Sequence, residues 1–146
     1  WYEEHLLYIS EALIAIPLAL NGLGALYFFD VPWGFDSFLH FTSSTLAALF
    51  IFFILGAFWR VATFPTRIAL FFIAVVGAFT AGIMMEGWEV FSDKFFGTRS
   101  WGDIWQYPWE DTRFDIFYDA VGSGIGGAII LFWGKRWLMS LRRIVP

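Results

Sequence analysis

The fold class this sequence predicts is all-α: an integral membrane bundle of four helices. Three observations carry that expectation. Hydrophobic residues make up 59% of the 146 and charged residues only 15%, against roughly a quarter charged in a soluble domain. The apolar residues gather into four runs near the length that crosses a bilayer. Threading those runs back and forth places most of the Lys and Arg residues on one side. No linker or shift in composition divides the chain, so residues 1–146 read as a single domain. The first residue is Trp1 rather than Met, so further sequence is expected before it.

A helix rising about 1.5 Å per residue needs roughly 20 apolar residues to span hydrocarbon. The first run is Ala12 to Phe29, where Pro17 and the Asn21-Gly22-x-Gly24 stretch are expected to bend or loosen the helix. The second is Phe41 to Trp59 and the third Ile68 to Met85. The fourth, Ala120 to Trp133, is short unless Asp115 to Tyr118 form its first turn. Pro32 and Gly34 turn the chain between the first two spans, and RVATFPTR joins the second to the third. The third connection, Phe91 to Phe114, is a long outer loop rich in Trp and Asp, the kind of segment that carries function.

Orientation follows from the excess of Lys and Arg on cytoplasmic loops. With four spans, Arg60, Arg67, Lys135, Arg136, Arg142 and Arg143 share one face, while Lys94, Arg99 and Arg113 fall on the other. Both termini are therefore expected in the cytoplasm, with the protein in the plasma (inner) membrane. Tryptophan favours the headgroup level, and the residues divide accordingly: Trp1, Trp59, Trp133 and Trp137 inside, Trp33, Trp88, Trp101, Trp105 and Trp109 outside. A soluble bundle would have to bury four apolar helices in a chain too small to cover them.

Against that apolar background the polar residues stand out. Counted from the cytoplasmic charges at helical rise, His40, Glu86 and Asp119 reach heights of about 30, 28 and 24 Å. Asp36, Glu89 and Asp115 lie one turn further out. Positions three or four apart share a helix face, so Asp36 with His40, Glu86 with Glu89, and Asp115 with Asp119 form three vertical pairs at matching depth. An acid near hydrocarbon costs a few kcal/mol unless paired or solvated, so these side chains are expected to converge inside the bundle.

Crowded carboxylates cannot all stay ionised without cations: some take up protons, or Arg and Lys neutralise them, or a metal binds. Asp, Glu and His together suit a divalent Zn, Mn, Fe or Mg ion, and carboxylate–His pairs on facing helices are how bundle metal sites are built. The expected ligands are His40, Glu86, Glu89, Asp115 and Asp119, with Asp36 behind His40 to orient it. Asp111 and Arg113 stand in support. Asp111 also reads as a helix N-cap, and Arg113 as either an anion-binding group or a salt-bridge partner of Asp111 or Glu110. The bland alternative takes all these residues as helix-end groups reaching water.

Other features exclude more than they assert. Without cysteine there are no disulfides and no thiolate-bound metals. A formal charge of −4 with no basic tract offers nothing to nucleic acid. Glu11 reads as a salt-bridge partner of Lys135 or Arg136, and His5 as an interfacial histidine. The GSGIGGA stretch lacks the ending of a phosphate loop. Gly122 and Gly126 instead fit the small-xxx-small pattern of closely packed membrane helices, bringing Asp115 and Asp119 to their partners.

Asp36-x-x-x-His40-Phe41, Glu86-x-x-Glu89 and Asp111-Thr112-x-x-Asp115-x-x-x-Asp119-x-x-Gly122-x-x-x-Gly126 resemble a small bacterial inner-membrane family, the YjdF type. More distantly they resemble the VanZ-like proteins. The resemblance covers about residues 36 to 127, and its departures are Ser43-Ser44 after His-Phe and the aromatic SWGDIWQYPWE before Asp111. It implies a four-span membrane protein; VanZ-like members are associated with glycopeptide resistance.

Two functional readings compete. In one, the cluster binds a metal, or a coupled set of protons, and supports hydrolysis or transfer on a lipid-linked or outer-leaflet substrate, with a carboxylate as general base. In the other, suggested by the small size, the aromatic outer loop and the lack of a recognised nucleophile, the protein is a non-catalytic accessory subunit whose partners are membrane lipids and other membrane-protein subunits, and the acids dock a partner or cap helices. Ion-coupled transport is disfavoured by the almost wholly apolar inner halves of spans two and three.

Overall fold

The computed structural model describes residues 2–24, 34–58, 64–97, 108–137 and 139. Among them every regular element is helical: α1 (Tyr2–Leu23), α2 (Phe35–Phe58), α3 (Phe64–Phe96) and α4 (Pro108–Ile129). A single π-helical turn, Ile130–Gly134, continues α4, and helix resumes through Trp137. Among the described residues, three segments are long and apolar enough to cross a membrane: Phe35–Gly56, Ile68–Phe96 and Trp109–Trp137. Leu7–Leu23 forms a shorter apolar helix.

The helices run further into the connection between α3 and α4 than the apolar runs suggest. α3 continues past Glu89 to Phe96, where Gly97 adopts φ +67° and its N–H donates to the Asp93 carbonyl at 3.1 Å. This is a left-handed helix stop, which glycine adopts without a Cβ penalty. At the other side, α4 starts at Pro108, a residue suited to the first helical turn because its missing N–H has no partner to lose there. Polarity misled the sequence reading here, since capped helix ends and loops have similar compositions. What remains of the expected loop, with Arg99, Trp101 and Trp105, lies outside the described residues, as do Trp1, Trp33, Trp59, Arg60, Arg142, Arg143 and the end of the first span beyond residue 24.

α1 runs through Pro17 as one element. The start of α2 is set by Gly34, whose φ is +72° and whose carbonyl accepts from the Phe38 N–H at 3.0 Å. α2 is the centre of the bundle and packs against α1, α3 and α4, with its most extensive interface on α4.

Small residues on α4 make that interface close. A Cβ on Gly122 would overlap the Phe41 carbonyl, and one on Gly126 would lie 2.7 Å from the Ala48 Cβ and 2.8 Å from the Thr45 carbonyl. Gly134 faces the Phe52 ring in the same way. These pairings advance together along both chains, so α2 and α4 are parallel, and α3 runs against them. Thr45 Oγ1 joins the two backbones, 2.8 Å from the Phe41 carbonyl and 3.0 Å from that of Gly122.

The apolar core lies away from the N-terminal ends of α2 and α4. Ala48, Phe52, Phe53, Leu70, Ala74, Ala78 and Ile130 form it, and Trp137 stacks on Phe53 at a centroid distance of 5.9 Å. The outside of the bundle is also apolar: Phe72, Val76, Met84, Phe117 and Phe132 are all more than half exposed. In water such a surface would drive association; against acyl chains it is the surface expected. Of the tryptophans described, Trp88, Trp109 and Trp133 are exposed.

Candidate functional site

Helical spacing builds the site. On α4, Asp111, Asp115, Asp119 and Ser123 recur every four residues and are all buried, Asp115 and Asp119 at 2% and 1% exposure. On α2, Asp36, His40, Ser44, Ala48 and Phe52 form a row with the same step. Rows four apart are the ridges along which packed helices interlock, so two rows that are polar at one end and small or apolar at the other align polar with polar. α3 adds Gly82, Glu86 and Glu89 from the antiparallel direction.

His40 is the hub, and it is buried. Its Nδ1 lies 3.2 Å from Asp119 Oδ2, and Ser44 Oγ donates to Asp119 Oδ1 over 2.5 Å. An ionised carboxylate only accepts, so with Asp119 ionised Nδ1 is the donor, and Nε2 is turned towards the acids of α3. Nε2 lies 3.6 Å from Glu86 Oε1, too long for a hydrogen bond. Asp119 reaches this position because Gly82 on α3 has no side chain: a Cβ there would overlap the Asp119 carboxylate.

Three oxygens in this cluster are buried and without a hydrogen-bond partner: Glu86 Oε1, Glu86 Oε2 and Asp115 Oδ1. Leaving a buried polar group unpaired costs about 1–3 kcal/mol, more when it is charged. Two sets of potential ligands accompany them. Asp36, His40 and Asp115 each place one ligand atom within 4.8 Å of the others, and His40, Glu86 and Glu89 do the same.

The residues singled out from sequence thus fall into three positions. His40, Glu86, Glu89, Asp115 and Asp36 belong to the ligand sets. Asp119 sits on the far nitrogen of His40, the place that sequence reasoning gave to Asp36. The reason is geometric: Asp36 lies one turn along the same helix, whereas Asp119 approaches across the α2–α4 contact. Asp111 is buried but outside both sets, and Arg113 is exposed.

Ser44, Thr45 and Gly82 were missed as site residues. Ser44 had a readable signal, since it stands four residues after His40 and therefore on its face. Gly82 had none, because its importance depends on which side chain of another helix arrives opposite it.

Comparison with known families matches the chain to a family described as predicted membrane protein (DUF2238), over residues 2–136. No curated protein and no solved structure matches the chain.

Proposed function

The chain belongs to the DUF2238 family of predicted membrane proteins, and on that premise we propose that it holds a divalent cation at the polar end of a transmembrane bundle. The observation that carries this reading is the buried Glu86 carboxylate, neither of whose oxygens makes a hydrogen bond of good geometry, although Thr112 lies beside it and His40 Nε2 stands 3.6 Å away. A cation between them would satisfy oxygens and nitrogen together. In this proposal His40, Glu86 and Glu89 are direct ligands, with Asp115 and Asp36 beside them. Asp119 and Ser44 fix the imidazole through Nδ1, in the carboxylate–His–metal arrangement that orients many metal-bound histidines. The donor set of oxygens and one imidazole suits Zn, Mn, Fe or Mg.

In this reading the protein sits in the plasma (inner) membrane with both termini cytoplasmic, supported by Lys135 and Arg136 at the end of the last helix, away from the cluster, and by Arg142 and Arg143 following them in sequence. The cluster then faces the outer leaflet. There it supports metal-assisted hydrolysis or transfer on a lipid-linked substrate, with a cluster carboxylate as general base. The likeness of its motifs to YjdF-type and VanZ-like proteins supports the residues of the site and not the substrate.

Elemental analysis of protein purified in detergent without chelator tests the cation. Wild type retains a divalent metal, and Glu86→Gln loses most of it; metal-free wild type of full stability sinks the proposal.

A second reading, an accessory subunit, is favoured by the exposed aromatic end of α3, where Trp88, Phe91, Phe95 and Phe96 stack among themselves. Such rings suit a partner helix as well as lipid. Elution of the same preparation as a monodisperse monomer in mild detergent overturns it.

A further inference from the structure

The two ligand sets share His40 without merging. Asp36, His40 and Asp115 lie within 4.8 Å of one another, as do His40, Glu86 and Glu89, but the five residues do not form one set at that distance. A single ion holding nitrogen and oxygen at about 2.1 Å gathers its ligands within about 4.2 Å of each other. One sphere of that size takes one trio and not both.

Each trio also carries its own unsatisfied oxygen. Asp115 Oδ1 belongs to the first and the two Glu86 oxygens to the second, on side chains that are 2% and 5% exposed. An ion at Glu86 leaves Asp115 Oδ1 unpartnered, so the second orphan calls for a second cation. Charge argues in the same direction. Fully ionised, the four carboxylates of Asp36, Glu86, Glu89 and Asp115 exceed the charge of one divalent ion, which leaves the remainder to a second cation or to protons. His40 serves only one ion, because its Nδ1 is committed to Asp119.

We propose that the site is binuclear, with one divalent ion on His40 Nε2, Glu86 and Glu89 and a second on the carboxylates of Asp36 and Asp115. The inference rests on the cation-binding reading above and extends it. The two positions differ in kind. The first, with imidazole, takes Zn, Fe or Mn; the second, with oxygen ligands alone, takes a hard ion such as Mg or Mn and holds it more weakly.

The test uses Mn(II), which both positions accept, added to full-length protein stripped with chelator in detergent and followed by electron paramagnetic resonance. The expected result is two ions per wild-type chain, with the spectrum of a spin-coupled pair. The Asp36→Asn/Asp115→Asn double variant binds one, without coupling, and Glu86→Gln/Glu89→Gln likewise binds one. Wild type that binds a single ion overturns the second position and leaves the first intact, whereas wild type that binds none overturns both readings. Should a double variant fail to fold, the wild-type stoichiometry and the coupled spectrum decide.

Discussion

At the scale of the residue, the imidazole of His40 owes its orientation to a chain of donors. Ser44 donates to Asp119, and Asp119 accepts from His40 Nδ1, so the ring is held with Nε2 directed at the acids of α3. Outer partners of this kind contribute about 10–100-fold to metal affinity. Ser44→Ala is therefore expected to weaken the cation by about tenfold without altering which residues bind it, and Asp119→Asn, which removes the charge on Nδ1, to weaken it further. Competition with a coloured chelator measures both. Equal affinity in Ser44→Ala and wild type would show that the hydroxyl does not position the ring. The acids and the histidine were legible from sequence because a charged residue in an apolar run announces itself. Ser44 carried only a spacing signal, four residues after His40, because serines are common in membrane helices and its role depends on a partner 75 residues away.

At the scale of the element, α4 does two jobs with one four-residue period. Its N-terminal half brings Asp111, Asp115 and Asp119 to the inside of the bundle, and its C-terminal half replaces them with Ser123 and glycines that admit α2. The π turn follows directly, at the point where Gly134 lies against Phe52. Gly126→Leu places a branched side chain against Ala48 and the Thr45 backbone, which cannot rotate away. The expected cost is about 1–3 kcal/mol of overpacking, seen as a lower thermal midpoint in detergent. Gly124→Ala, with nothing within 4 Å of the new Cβ, should leave the midpoint near wild type. If both variants melt alike, close approach at Gly126 is not what holds α2 to α4. The small-xxx-small spacing announced this interface in sequence, but the extension of α3 to Phe96 and of α4 back to Pro108 was hidden in a polar stretch that read as loop.

At the scale of the molecule, an apolar exterior surrounds a bundle whose buried acids and histidine, among the described residues, gather at one end. α3, at about 50 Å for 33 residues, is longer than the roughly 30 Å hydrocarbon layer, so part of it extends beyond. If the cluster faces outward, Lys94 is extracytoplasmic and Met139 cytoplasmic. The chain contains no cysteine, which makes the orientation directly measurable. Lys94→Cys is expected to react with a membrane-impermeant maleimide in intact cells, and Met139→Cys only after lysis. The reverse pattern would put the cluster on the cytoplasmic side and remove the outer-leaflet substrate from the proposal.

Hydropathy alone determined that this chain forms apolar helices, roughly where they run and which polar residues share a depth, because helical rise and the cost of charge in hydrocarbon act on each segment separately. Which carboxylate meets which nitrogen was decided only in the tertiary structure. That choice depends on how far one helix is rotated and how closely it approaches the next, and glycines such as Gly82 and Gly122 set those quantities across helices far apart in sequence.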